Sequence, residues 1–192
     1  MSAQAPTGLS IGTHTLGPAN AKLTVRTGRS GAIAKVGHDL LLEVTAWSGT
    51  LEVSDGAITV ALTADSSSLK VRSGSGGMQA LGEDDMANIN QTIDDEVLAG
   101  GAIAFHSTDV TITADGLRVD GDLELLGASR PVAFELTIGD DGRLTGEAVI
   151  KQTDFGIKPY STLFGTLKVA DEVRVAIEGH LPTTTEEQSN DG

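Results

Sequence analysis

The sequence reads LRVDGDLEL over residues 117–125, and apolar and polar side chains alternate along this stretch. Its apolar positions and one glycine share a single face: Leu117, Val119, Gly121, Leu123 and Leu125. The positions between them are charged. An alternation with a period of two is typical of a β-strand that buries one face and leaves the other in water. The stretch therefore predicts one strand of a sheet whose apolar face is covered.

The same alternation recurs along most of the chain. It predicts further strands over residues 22–27, 39–45, 47–54, 58–63, 102–113, 132–138, 144–151 and 173–181. Asp-Gly dipeptides at residues 55–56, 115–116 and 141–142 lie between alternating runs and are typical of tight hairpins. We therefore predict a mainly β fold of about eight or nine mostly antiparallel strands, arranged as a closed barrel or a sandwich.

One segment has a helical period instead. Its apolar residues are spaced by three, four and four positions: Met86, Ile89, Ile93 and Val97. Asp84 or Asp85 can cap the start, and the glycines at residues 100–101 can end the helix. We predict one α-helix over residues 84–98 that packs against the sheet. The glycine-rich residues 72–78 before it are predicted to form a flexible linker.

Length and composition limit the classes of function. A chain of 192 residues suits one domain, which we place at residues 21–182, between an N-terminal extension (1–20) and a disordered acidic tail (183–192). There is no cysteine, which excludes disulfides and thiol chemistry. The chain has 13 basic and 27 acidic residues, and its net charge of −14 argues against nucleic acid and anionic membrane surfaces as partners.

The first residues, MSAQAPTGLSIG, have neither a basic start nor an apolar run of ~7–15 residues, so they do not resemble a secretory signal. No stretch approaches the ~18 consecutive apolar residues that a membrane-spanning helix needs. We expect a cytoplasmic protein without a membrane span.

The sequence offers few candidates for catalysis or metal binding. His38 and Asp39 are neighbours, but adjacent strand residues point to opposite faces, so a His–Asp relay is not expected. None of the four histidines is paired at a metal-binding spacing, and the glycines at residues 74–77 lack the Lys-Ser/Thr end of a phosphate loop. We predict no catalytic residue, no metal site and no cofactor. An enzyme whose site is built from distant residues is kept as an alternative, after the two functions given below.

Several motifs occur in one order along the chain: GHDL (37–40), WSGTL (47–51), ADSSSL (64–69), TIDDEVL (92–98), IAFHST (103–108), VDGDLELLG (119–127) and RPV (130–132). With them, the chain resembles the YceI family of lipocalin-like, polyisoprenoid-binding barrel proteins over roughly residues 21–181. The resemblance implies an eight-stranded antiparallel lipocalin-like β-barrel with one helix and a lipid tunnel, often as a homodimer. It implies no catalytic role.

The inward strand positions and the resemblance together predict the residues that line this tunnel. Those on strands are Leu40, Leu42, Val44, Trp47, Phe105, Leu123, Leu125, Phe134 and Leu136. Phe155, Tyr160 and Phe164 are placed near a mouth. Small inward residues are expected to leave volume for a ligand: Gly121, Gly146, Ala148 and Gly179.

The function that follows is the binding, sequestration or transport of a polyisoprenoid or other lipid inside the barrel. The alternative is a filled barrel that holds no ligand and acts as a stress-response or protein-interaction module. Lys70 and Arg72 are candidates for contact with an anionic head group, although a solvated surface is the favoured interpretation of both.

Overall fold

The computed structural model describes residues 9–32, 34–77, 79–162 and 167–182. Within these ranges, twelve strands form one antiparallel sheet: β1 Gly12–Leu16, β2 Ala21–Ser30, β3 Asp39–Val44, β4 Trp47–Ser54, β5 Ala57–Ala64, β6 Leu69–Ser75, β7 Ile103–Ile112, β8 Gly116–Leu125, β9 Ala128–Ile138, β10 Arg143–Lys151, β11 Ser161–Thr162 and β12 Leu167–His180. Short 3₁₀ turns lie at Ala34–Val36, Ser66–Ser68 and Gln152–Phe155.

The sheet follows the order β1-β4-β5-β7-β8-β9-β10-β12-β2-β3-β6, and β11 pairs with β12 beside this path. It curls into a half-barrel, which confirms the predicted mainly β, lipocalin-like fold class. The expected number of strands was too low. The alternating pattern missed β1, β6 and β11, which are short or glycine-containing and lie at the ends or the side of the path.

The three Asp-Gly dipeptides lie between antiparallel neighbours, as predicted. They connect β4 with β5, β7 with β8, and β9 with β10. Gly56 and Gly142 have φ values of 88° and 82°, a region that glycine enters without strain. Gly116 is required for another reason, because a Cβ there would overlap the carbonyl oxygen of Leu136 on β9.

The predicted helix is present, with a different start and a different end. Helix α1 spans Glu83–Thr92, and a π-helical turn continues it over Ile93–Val97. Gly82 occupies the N-cap position instead of Asp84 or Asp85. Asp85 still contributes, because its Oδ2 accepts the Gly82 N–H at 3.1 Å. An aspartate three residues after the cap satisfies a free amide in the same way as a capping box.

Helix α1 lies against the edge strand β6. The side-chain oxygen of Asn90 accepts the backbone N–H of Val71 at 2.8 Å. The strands at the two ends of the path, β1 and β6, are not hydrogen-bonded to each other in the described ranges. The helix therefore gives β6 a partner on a part of its edge that no strand covers.

The main hydrophobic cluster fills one end of the half-barrel. Leu117 and Val119 are fully buried there, together with Leu144. Strand β1 lies within the segment proposed as an extension, yet its Leu16 belongs to this cluster and its residues pair with β4. A smaller cluster lies toward the other end: Leu98, Ile150, Phe155 and Ile157.

Candidate functional site

An apolar cavity of about 680 Å³ lies inside the curl of the sheet. Its walls come from most strands and from the helix, and they include the buried residues Leu16, Leu51 and Leu144. These three side chains belong to the buried cluster that fills this end of the half-barrel. The cavity is therefore closed where the strands are joined by the Asp-Gly turns, and it extends toward the opposite end of the sheet.

The structure brings ten of the twelve predicted tunnel residues to this cavity: Leu40, Leu42, Val44, Trp47, Phe105, Leu123, Leu125, Phe134, Leu136 and Tyr160. Phe105 and Phe134 are adjacent, with ring centroids 5.3 Å apart. Phe155 is buried in the smaller cluster and does not line the cavity. Phe164 lies outside the described residues.

The helical segment forms part of the cavity wall. Ile89, Ile93 and Val97 line the cavity, as do the polar residues Asn88 and Thr92. Met86, the first residue of the predicted apolar stripe, does not. The sequence indicated a helix packed on the sheet, whereas the structure shows a helix that contributes its apolar side to a space the sheet leaves open.

Sequence reasoning missed a second wall of the cavity. It consists of inward residues of β2 and β12: Leu23, Val25, Val173, Val175 and Ile177. The signal was available, because the alternating pattern already placed β12 side chains on the apolar face. Their role as lining depends on the curl of the sheet, which brings β2 and β12 opposite β7 and β8.

The expectation that small inward residues leave free volume was wrong for Gly121 and Gly179. A Cβ at Gly121 would overlap the carbonyl oxygen of His106, and one at Gly179 would overlap Ala21. At Gly146, a Cβ would lie 2.6 Å from Leu136 Cδ2. Gly121 and Gly179 are glycine because neighbouring strands approach closely there. Gly146 and Ala148 differ from them, because both line the cavity.

Polar side chains gather where β2 ends and β3 begins, and we call this end the mouth. Arg29 and His38 line the cavity here, and Tyr160 is 44% exposed. Arg29 donates from Nε to Asp39 Oδ1 at 3.0 Å and from Nη1 to the Gly37 carbonyl at 2.8 Å. His38 Nε2 lies 2.7 Å from the carbonyl oxygen of Gln79. Asp39 thus binds an arginine, and His38 contacts a backbone group.

The glycine-rich segment packs against the mouth, which corrects its interpretation as a linker alone. Gly74 already belongs to β6. Gly76 and Gly77 both have positive φ, and a Cβ at Gly77 would lie 2.6 Å from His38 Nε2. A Cβ at Gly76 would overlap the Arg29 guanidinium. Glycine is favoured because both residues have positive φ and the backbone lies directly on these two polar side chains.

Lys70 and Arg72 do not line the cavity. Arg72 Nε donates to Glu43 Oε2 at 2.8 Å, and Lys70 Nζ donates to the Ser67 carbonyl at 3.3 Å. Both lie on the outer surface of β6, in agreement with the interpretation of Lys70 and Arg72 as solvated surface residues.

No group of three or more His, Cys, Asp or Glu side chains within the described ranges could hold a metal ion. Likewise, no helix in those ranges is long and apolar enough to cross a membrane.

Trp47 is the one tryptophan of the chain, and it lines the cavity. Its side chain is 93% buried, since 7% of its surface is exposed. Its indole N–H is buried and has no hydrogen-bond partner among the described residues. Because of this position, the fluorescence of Trp47 can report whether a molecule occupies the cavity.

Near the mouth, Asp171 on β12 holds the turn at Gln152–Phe155. Its Oδ2 accepts the Thr153 hydroxyl at 2.7 Å, and its Oδ1 accepts the Thr153 N–H at 2.9 Å. The hydroxyl, followed by the backbone amide, lowers the pKa of Asp171 from its ordinary value of 3.8. Because both donors favour the ionised form, the turn is held most firmly when the carboxylate is charged.

We expect Asp171→Asn to lower the melting temperature at neutral pH and to make little difference in strong acid. A lowered native pKa contributes stability above the ordinary value, and this contribution is lost as the pH falls through the lowered value. The check is thermal unfolding of wild type and variant across that range. Asp154→Asn, an exposed aspartate in the same turn, is the control. A difference between wild type and Asp171→Asn that persists in strong acid would contradict the expectation.

A family model of the YceI-like domain matches residues 15–181. The chain belongs to the YceI-like family. The match confirms the resemblance that the motifs indicated, and it includes the last two residues of β1. The YceI-like fold is a lipocalin-like barrel of the kind that binds hydrophobic ligands.

Solved structures resemble this YceI-like chain in fold. Burkholderia cenocepacia BcnA has a TM-score of 0.58 and 16% sequence identity, with 85% of this chain and 96% of that chain covered. A Campylobacter jejuni YceI protein has a TM-score of 0.49 and 14% identity, with 74% and 84% covered. The search of curated proteins found no match.

Proposed function

We propose that this YceI-like protein binds, sequesters or carries an apolar or amphiphilic molecule, such as a polyisoprenoid or another lipid, in the cavity. The observation that carries the proposal is the cavity itself: about 680 Å³ with mainly apolar walls, one closed end and one polar end. Ligand sites in proteins have volumes of roughly 300–1,000 Å³ and similar linings. The distribution of polar groups matches an amphiphile whose tail enters first.

The dimensions fit a single chain. The lining on β12 runs from Lys168 to Ile177, a span of about 30 Å along a strand that rises ~3.3 Å per residue. Strand tilt shortens this span along the barrel axis. A narrow space of this length suits an extended hydrocarbon or isoprenoid chain better than a compact ring system.

Burial of the chain supplies the affinity. Each methylene removed from water contributes about 0.8 kcal/mol, so ten methylenes contribute ~8 kcal/mol before the cost of ordering the ligand. No polar contact is needed for this contribution. The residues that we propose as ligand contacts are therefore the apolar lining residues, including Leu40, Leu42, Phe105, Leu123 and Phe134.

The experiment that tests the proposal is organic extraction of the purified protein followed by mass spectrometry. A carrier releases an apolar molecule in an amount comparable to that of the protein, and protein stripped of it takes up an added fatty-acyl or polyprenyl chain. A filled barrel that serves as an interaction module releases nothing stoichiometric and takes up nothing. The second result would contradict the proposal.

A further inference from the structure

A second depression lies on the outer surface of the sheet and joins the mouth of the cavity. Thr27, Gly28, Arg29 and Leu40 line both spaces. The two spaces therefore adjoin each other where β2 ends and β3 begins. A molecule whose tail lies in the cavity can place its head group in this outer depression.

The depression is basic, although the protein is strongly acidic. Four of the 13 basic side chains of the chain line it: Arg26, Arg29, Lys35 and Arg174. Two carboxylates, Asp39 and Glu172, also line it. The lining thus carries a surplus of positive charge on a chain whose net charge is −14. We call this surface the basic depression.

Two of these cations face each other across neighbouring strands. Arg26 on β2 pairs directly with Arg174 on β12, and like charges in opposite strand positions repel. Arg174 Nη1 lies 2.7 Å from Glu147 Oε1, which offsets its charge. Arg26 and Lys35 have no ion-pair partner in the part of the chain that the structure describes. An anion at this place would relieve the repulsion.

Arg29 is held at the junction of the two spaces with donors to spare. Its Nε and Nη2 donate to the two oxygens of Asp39, at 3.0 and 3.3 Å, and its Nη1 donates to the Gly37 carbonyl. A guanidinium has five N–H donors, so two remain. Asp39 neutralises the charge of Arg29 and also fixes its orientation. The surplus positive charge therefore comes from Arg26 and Lys35.

We propose that the ligand is an anionic amphiphile, whose carboxylate or phosphate head group lies in the basic depression while its tail fills the cavity. This inference rests on the proposed function and names the class of ligand. A carboxylate and a phosphate both present the oxygen pair that arginine binds well. A free fatty acid and a lipid phosphate monoester are the two sources of this chemistry.

The test compares chains that differ only in the head group. Dodecanoate, dodecyl phosphate and dodecan-1-ol, each below its micellar concentration, compete with a neutral fluorescent apolar reporter for the stripped protein. At low ionic strength, at least one anionic chain should bind about tenfold more tightly than the alcohol. High salt should reduce this preference. Preference for one anion over the other identifies the source of the head group.

Variants locate the preference. Arg26→Gln combined with Lys35→Gln should remove most of it and leave the affinity for the alcohol unchanged. Lys22→Gln is the matched control, because Lys22 is an exposed cation of the same strand nearer the closed end. Equal affinity for all three chains, or a preference that survives the double variant, would overturn the inference and leave the proposed function intact. Failure of all three to displace the reporter would instead contradict the proposed function.

Discussion

Ala148→Trp is expected to abolish the uptake of a fatty-acyl or polyprenyl chain while the protein stays folded. Ala148 lies on β10 and lines the cavity. An indole at this position occupies the space of the ligand. The affinity should fall by more than about tenfold, since several buried methylenes at ~0.8 kcal/mol each are displaced. Reporter fluorescence and thermal unfolding measure the two effects separately.

The matched control is Ala133→Trp, which adds the same ring to an exposed position on the outer face of β9. It should leave uptake unchanged. Leu125→Trp tests a second wall of the cavity, on β8, and should act like Ala148→Trp. If the two cavity variants bind normally, or if they lose ~1–3 kcal/mol of stability as an overpacked core does, the cavity is not the binding space.

Ile93→Asp is expected to destabilise the protein by ~2 kcal/mol and to impair uptake, because it places an unpaired charge in an apolar wall. Ile93 begins the π-helical turn, lines the cavity and packs against the smaller buried cluster. Denaturant unfolding measures the change in stability. Gln91→Asp is the control, since Gln91 is exposed on the same helix and receives the same charge.

An unfolding midpoint for Ile93→Asp equal to that of Gln91→Asp would show that the helical segment is an appendage. The structure argues against this, because the segment shares the cavity wall with the sheet and Asn90 holds the edge of β6. Three carboxylates at the start of the π-helical turn, residues 94–96, lie near the negative end of the helix, where they are unfavourable. The apolar contacts of the segment must therefore outweigh this repulsion.

The sequence predicted most of the sheet because local rules specify it. Side chains alternate along β8 and β12, and Asp-Gly dipeptides lie at the hairpins, so each element could be found from its own residues. Strand Trp47–Ser54 has the predicted bounds, while β2 extends to Ser30, beyond the expected 22–27. The difference matters, because the three added residues include Arg29 at the mouth.

The rest could not be predicted because it depends on pairing between distant segments. Strand β1 becomes a strand by pairing with β4, and β6 by pairing with β3. The close approach at Gly121 arises from the register between β7 and β8, which an isolated glycine does not reveal. The basic depression likewise forms only when β2 and β12 meet and place Arg26 opposite Arg174. Arg29 did carry a signal, since it has the same strand parity as Leu23 and Val25.

The most direct test of the central claim uses the single tryptophan. Trp47 lines the cavity and is buried from bulk solvent, so a quencher in water reaches it poorly, whereas one on a bound chain lies beside it. Titration with a fatty acid that carries bromine atoms on its chain should quench the Trp47 emission saturably at about one ligand per protein. The same acid without bromine should displace the brominated acid and restore the emission. In this experiment the variant that fills the cavity is Leu125→Phe, because Ala148→Trp would add a second indole. Emission that is unaffected by the brominated chain, although the chain binds the protein, would place the ligand outside the cavity and contradict the account.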